Sequence, residues 1–274
     1  MIHNSKIKLS VAIASFNEES CIGDCLNSVK GLADEIVVVD GSSTDKTVEI
    51  AKSFNAKVIV TDNKPIFHIN KQQAIGECGG EWILQLDADE IIPPELTEEI
   101  KSLITNYDLP IIYNAYWIKR KKMFLGKWMK KGGQYPDPVI RLFKNGKAKL
   151  PCKSVHEQMV VEGSVGELVN PMIHLPTPSF LVYLTKDNRY STLSALKMKE
   201  EKMSLNIFSS LKYFFCKPCS TFFSIYFRHL GFLDGFPGFV FAFYSGLHYF
   251  SAYVKYWEMV KGKIDNKSAE RDWV

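Results

Sequence analysis

The sequence predicts an α/β protein, with a doubly wound, mostly parallel sheet followed by a C-terminal region of aromatic helices. Short apolar runs alternate with helical patterns through the first hundred residues. Clusters of acidic and hydroxyl residues follow three of those runs directly. Of the 35 Phe, Trp and Tyr residues, 19 lie between Phe208 and Trp257.

The elements follow in order. Residues 9–14 (LSVAIA) read as a buried strand and 18–30 as a helix; residues 35–39 (EIVVV) are a second strand. A helix over 44–54 and a strand over 57–60 come next. The helical pattern over 65–78 stops at Gly79-Gly80, and residues 82–86 (WILQL) form a fourth strand. Pro93-Pro94 opens another helix at its favoured first turn. From about residue 111 the pattern turns to strands and loops. Residues 180–203 are helical, aromatic helices continue to about 262, and the tail 263–274 reads as frayed. The expected division is therefore 7–178 as a catalytic, ligand-binding domain, 179–262 as a helical membrane-proximal region, and 263–274 as a tail.

Composition narrows the function. With 274 residues, 46% hydrophobic and 23% charged, the chain is globular rather than disordered. A net charge of +4 is too small to argue for nucleic acid. The charge is uneven, however: residues 1–180 carry 21 basic against 22 acidic groups, and residues 181–274 carry 13 against 8. A basic, aromatic rear suits an anionic membrane surface. Residues 235–254 hold no Asp, Glu, Lys or Arg, but the opening Gly-Phe-Pro-Gly and the abundant Tyr favour an in-plane or re-entrant element over a full span, with an ordinary aromatic core clamped onto the sheet as the other reading. The polar start carries no signal-peptide core. Six cysteines, including the lone pair Cys216 and Cys219, read as reduced thiols, which with the polar start points to the cytoplasm. The basic stretch Lys119–Lys122 with Lys127, Lys130 and Lys131 reads as a solvated loop or as an acceptor-phosphate contact.

In a doubly wound sheet, ligands bind beyond the carboxyl ends of the strands. Three polar clusters fall there: Ser15-Phe16-Asn17-Glu18, Asp40-Gly41-Ser42-Ser43-Thr44-Asp45, and Asp87-Ala88-Asp89. Converging carboxylates repel one another, so three clusters in register imply a cation or a polyhydroxyl ligand rather than simple helix caps. No Gly-x-Gly-x-x-Gly and no Gly-x4-Gly-Lys-Ser/Thr is present. A bound nucleotide diphosphate would need a divalent metal, Mg²⁺ or Mn²⁺, on the Asp-x-Asp instead.

These motifs, with Tyr135-Pro-Asp-Pro-Val-Ile-Arg-Leu-Phe143, Val155-His-Glu157, Pro171-Met-Ile-His174, Lys186-Asp-Asn-Arg-Tyr-Ser191 and Gly231-Phe-Leu-Asp-Gly235, resemble the family 2 glycosyltransferases of GT-A fold. The subgroup is the one containing lipopolysaccharide-core β-glycosyltransferases, and the resemblance covers about residues 7–260. It implies that Asp40 contacts the uracil and ribose of a UDP-sugar, with Ala14 and Glu18 in the same pocket wall. Asp87 would hold the ribose or sugar, and Asp89 would ligate the metal on the diphosphate. The family inverts the anomeric centre and uses a carboxylate as base, commonly an Asp in a Glu-Asp pair. This sequence has no such pair after Asp-x-Asp, and His156-Glu157 occupies the corresponding stretch. Glu157 is therefore the expected base with His156 as its neighbour, and Asp137 is the alternative. His174 is a candidate further metal ligand, and Arg141 a candidate diphosphate contact whose bland reading is an ion pair with Asp137.

The expected function is thus an inverting, metal-dependent glycosyltransferase. It would move a sugar from a UDP-sugar to a glycan or lipid-linked acceptor in lipopolysaccharide or cell-surface polysaccharide synthesis, peripheral on the inner face of the cytoplasmic membrane. A nucleotidyltransferase shares acidic strand ends but wants a Gly-rich basic loop after the first strand, where this chain is acidic. A non-enzymatic membrane-docking scaffold leaves Asp40, Asp87 and Asp89 unexplained.

Overall fold

The computed structural model describes residues 8–64, 66–105, 112–153, 157–177 and 179–262. Strand β1 (Leu9–Ser15) is followed by α1 (Ile22–Ser28), β2 (Glu35–Asp40), α2 (Thr47–Ser53), β3 (Lys57–Val60), α3 (His68–Gly76) and β4 (Trp82–Asp87). Then come β5 (Glu90–Ile91), α4 (Pro94–Thr105), β6 (Ala115–Phe124), β7 (Lys127–Trp128), β8 (Pro138–Lys144) and β9 (Ala148–Lys149). The short strands β10 (Val160–Val161) and β11 (Val165–Glu167) precede β12 (Met172–Thr177). Helices α5 (Phe180–Glu200), α6 (Ile207–Leu211), α7 (Lys217–Phe223) and α8 (Gly235–Lys261) complete the chain.

The first four strands lie parallel in the order β3-β2-β1-β4. Beyond β4 the sheet turns antiparallel through β8 and β6. The parallel part is the doubly wound α/β arrangement that the alternating pattern predicts, within a sheet that is mixed as a whole. Side chains alternate between two apolar layers, as a strand period of two requires. Leu9, Val11 and Ile13 of β1 join Val38, Leu84 and Leu86 in one core with α1 and α4. Ala12 joins Val37, Val39 and Ile83 in the other, with Ala74 and Ile75 of α3. Both faces of these strands are covered, which is why they read as continuous apolar runs.

The helices start later than their patterns suggest. Helix α1 begins at Ile22 rather than residue 18, and α2 at Thr47 rather than 44. The displaced residues form the two loops at the strand ends instead. Asn17 donates its backbone N–H to Ser43 Oγ (2.8 Å), and its side chain accepts from Thr44 N–H (2.8 Å). Local hydroxyl and amide bonds of this kind compete with helix formation.

The chain divides into two compact units. One runs up to Lys121 and includes Asp137–Leu175; the other comprises Lys122–Pro136 and the chain from Pro176 onward. The excursion Lys122–Pro136 goes with the helical unit. Buried Asp234 explains this, because its carboxylate accepts the backbone N–H groups of Lys130 (3.2 Å) and Lys131 (2.8 Å). Its backbone carbonyl accepts from Lys127 Nζ (2.7 Å). Part of the basic stretch read as a loop is accordingly the β6–β7 hairpin.

Within the helical unit, α5 and α8 are joined by polar bonds as well as by Ala195, Met198, Ala252 and Tyr256. Lys255 Nζ donates to Asn188 O (2.6 Å) and Thr192 Oγ1 (2.8 Å). His248 lies between Asp187 Oδ1 (2.8 Å) and Ser194 Oγ (3.1 Å). Gly246 lets α8 approach α7 closely: a Cβ there would stand 2.8 Å from Pro218 O. No single described helix is long and apolar enough to cross a membrane. The stretches Ile207–Arg228 and Gly231–Lys261 meet that length and composition only as a pair, bent by 71°.

Candidate active site

Register brings the three predicted clusters together. Ser15 at the end of β1 pairs with Asp40 of β2, and Ala14 pairs with Asp87 of β4 on the other side. Asp40 is fully buried, and its carboxylate accepts from Ser15 Oγ (2.9 Å), Ser43 Oγ (2.6 Å) and Ser43 N–H (2.7 Å). Half-buried Glu18 is tied to the same turn, its N–H donating to Thr47 Oγ1 (2.8 Å). Ala14, Glu18 and Asp40 therefore stand at adjoining strand ends, the wall they are expected to share.

Asp87 is the hub of a buried charge network. Its Oδ2 accepts from Arg141 (2.7 Å), and its Oδ1 pairs with Lys71 and accepts from Gln85 Nε2 (3.2 Å). Burial alone would raise its carboxyl, but the Arg141 and Lys71 charges outweigh that and hold it well below the usual carboxylate range. Arg141 also reaches Glu90 Oε1 (2.7 Å), a fully buried carboxylate, and bonds Gln85 Oε1. Burial works against the guanidinium charge, yet Asp87 and Glu90 overcome it and push its pKa up.

Arg141 is thus neither a surface residue nor the partner of Asp137. Arg120 takes that place, bonding Asp137 Oδ2 through two guanidinium nitrogens (2.6 and 2.9 Å) and reaching Glu90 at 3.4 Å. Lys119, from the same basic stretch, pairs with Glu167 (2.7 Å). Removing one member of a buried ion network leaves its partners uncompensated. Arg141→Met should therefore destabilise the fold by about 3 kcal/mol or more, measured by urea unfolding. An unchanged midpoint would show that Arg120 alone compensates Glu90.

A cavity of about 300 Å³ opens beside this network. Asp87, Arg141 and Glu157 line it, together with His68, Lys71, Gln85 and Arg120. Glu157 is mostly buried; its two oxygens accept the Lys153 backbone N–H (2.8 and 3.0 Å), and Oε2 lies 3.9 Å from His68 Nδ1. Asp137 is not among the lining residues, and His156 lies outside the described residues. His68 and Lys71 are the functional candidates that the sequence reading passed over. They sit at i and i+3 near the start of α3, a spacing that puts two polar groups on one helix face.

Asp89 and His174 meet through a non-local pairing. Strand β12 runs antiparallel to β5, setting His174 opposite Glu90, and Leu175 N–H donates to Asp89 O (2.9 Å). His174 Nε2 then stands 3.5 Å from Asp89 Oδ2. Its buried Nδ1 has no hydrogen-bond partner among the described residues. Asp89 Oδ2 and His174 Nε2, a carboxylate oxygen and an imidazole nitrogen facing each other, fit a divalent cation as a two-ligand site. Among the described residues no three His, Cys, Asp or Glu side chains converge, so substrate oxygens would have to complete the coordination.

The sequence model described as "Glycosyl transferase family 2" matches residues 10–169. An uncharacterized glycosyltransferase of Rickettsia typhi is 31% identical over 247 residues, covering 85% of this chain and 81% of that protein. The lipopolysaccharide core biosynthesis glycosyltransferase LpsC of Rhizobium meliloti is 29% identical over 261 residues, covering 87% and 90%. Among solved structures, S. aureus TarS 1-349 aligns with 91% of this chain and 88% of its own at TM-score 0.46 and 15% identity. Glucosyl-3-phosphoglycerate synthase from Mycobacterium tuberculosis, in complex with Mn²⁺ and UDP-glucose, aligns with 43% of this chain and 44% of its own, at TM-score 0.34 and 22% identity.

Proposed function

The chain belongs to the family 2 glycosyltransferases, and from that premise we propose that it transfers a sugar from a UDP-sugar, with inversion, to a glycan or lipid-linked acceptor. The acceptor would be a growing lipopolysaccharide core or cell-surface polysaccharide at the inner face of the cytoplasmic membrane. The likeness to LpsC supports the acceptor class. The observation that carries the reading is the register of Asp40 and Asp87 across β1, with Asp89 beside His174 and Glu157 lining the same cavity as Asp87.

Each residue then has a task. Asp40, buried and fixed by Ser15 and Ser43, presents a rigid edge to the nucleoside, with Ala14 and Glu18 beside it. Asp87, kept ionised by Arg141 and Lys71, accepts sugar or ribose hydroxyls. Lys71 and Arg120 place positive charge in the cavity wall, where an anionic leaving group is favoured. Asp89 and His174 would hold the divalent cation, Mg²⁺ or Mn²⁺, which when bound offers Lewis-acid stabilisation of a leaving diphosphate. Glu157 takes the proton of the acceptor hydroxyl as its oxygen bonds to the anomeric carbon. The bond from that carbon to the diphosphate breaks on the opposite side, and its electron pair leaves with UDP.

The reading is tested by UDP release from a panel of nucleotide sugars, with and without EDTA. Slow hydrolysis of one UDP-sugar, lost in EDTA, is the expected result. Release of pyrophosphate from a nucleoside triphosphate instead would make the chain a nucleotidyltransferase. No turnover of any UDP-sugar would count against the donor assignment.

A further inference from the structure

The helical unit carries an exposed apolar surface that its own core does not explain. Along residues 207–228, Phe208, Leu211, Phe215, Phe223 and Phe227 are all exposed, at intervals of three, four or eight residues. That is one face of a helix. Steps of four residues drift around an ordinary α-helix of 3.6 residues per turn. Here the segments Lys212–Cys216 and Ser224–Arg228 are π-helical, with wider turns that suit steps of four. A second row, Phe236, Phe239, Phe243, Phe250, Val254 and Trp257, runs along α8. The rows meet at the 71° bend, where Leu230, Phe232 and Leu233 are also exposed. Phe208 is 77% exposed and Phe236 73%, values foreign to core residues.

The charge beside these rows is mostly positive, the exposed Glu258 next to Trp257 at the far end of the second row being the exception. Lys212 and Arg228 are exposed, and the Lys217 ammonium lies 5.2 Å from the Tyr249 ring centre. From Ile207 to Trp257 the only acid is Asp234, which is buried and bonded to backbone N–H groups. A second copy of this surface would bring like charges together. Anionic lipid complements it, with aromatic rings at headgroup depth and cations against phosphates.

We infer that the bent pair 207–228 and 231–261 lies in the plane of an anionic membrane surface, with Phe232, Leu233 and Phe236 as its deepest point. This deepens the proposed setting of the reaction but stands on the helical unit alone. Its assay contains neither nucleotide nor sugar, so a failed donor reading leaves it untouched.

The test is flotation of the full chain with vesicles of phosphatidylglycerol and phosphatidylcholine, against phosphatidylcholine alone. The chain should float with the anionic vesicles, and raising the salt from low to high should release it at least ~10-fold, because exposed charge attraction is screened. The triple variant Phe232→Ser, Leu233→Ser, Phe236→Ser should bind at least ~10-fold more weakly, each buried ring or aliphatic side chain contributing to insertion, with its urea unfolding midpoint retained. Phe208→Ser with Phe215→Ser, on the other row, should weaken binding independently and answers for a triple variant that does not fold. Absence of flotation, equal binding to neutral vesicles, or both variants binding like the wild type would overturn the inference. So would self-association lost in the variants without any lipid binding. Full retention in carbonate-washed membranes would overturn the in-plane placement in favour of a span.

Discussion

Glu157→Gln should lower turnover by roughly 10²–10⁴-fold with UDP-sugar affinity little changed, the usual worth of a positioned general base. The substitution keeps the shape that accepts the Lys153 backbone N–H on one side and removes only the capacity to take a proton. Asp137 is the alternative base, and the two carboxylates differ in their surroundings. Asp137 Oδ2 is held by two guanidinium nitrogens of Arg120, whereas Glu157 lines the cavity. Asp137→Asn should therefore act chiefly through Arg120, disturbing the cavity wall and raising KM more than it lowers kcat. If Asp137→Asn instead removes turnover alone while Glu157→Gln does not, the base is Asp137.

Much of this site is visible in the sequence because its signals are local. An apolar run that ends in a polar cluster marks a strand end, and strand ends in a parallel sheet point to one side. Ser15, Asp40 and Asp87 follow that rule residue by residue. Other features depend on contacts distant in the chain. Arg141 sits within the apolar run Val139-Ile-Arg-Leu-Phe143, and its partners Gln85, Asp87 and Glu90 lie more than fifty residues earlier. No spacing distinguishes that buried network from a phosphate contact. His174 meets Asp89 only because β12 pairs with the two-residue strand β5, too short to announce itself. The excursion Lys122–Pro136 is assigned by its bonds to Asp234, over a hundred residues away. The aromatic rows were visible as composition, but their exposure is a tertiary fact.

Asp89→Asn should reduce turnover at least ~100-fold, as expected when charge stabilisation by a metal is lost. Asparagine retains the size of the side chain and removes the anionic ligand. His174→Ala, which deletes the nitrogen 3.5 Å from Asp89 Oδ2, should lower turnover in the same direction. Excess Mn²⁺ should partly restore His174→Ala but not Asp89→Asn, since one neutral ligand is replaced by water more readily than the carboxylate. Near-normal turnover in both variants would place the cation elsewhere.

In the proposed reaction this strand-end site binds a nucleoside diphosphate through a metal held by Asp89 and His174. Calorimetric titration of UDP into the wild-type chain, with Mn²⁺ and then with EDTA, measures that directly. The account predicts UDP binding at least ~10-fold tighter with Mn²⁺, a gain of about 1.4 kcal/mol, and loss of that gain in Asp89→Asn. Equal UDP affinity in Mn²⁺ and EDTA, or an undiminished gain in Asp89→Asn, would contradict it.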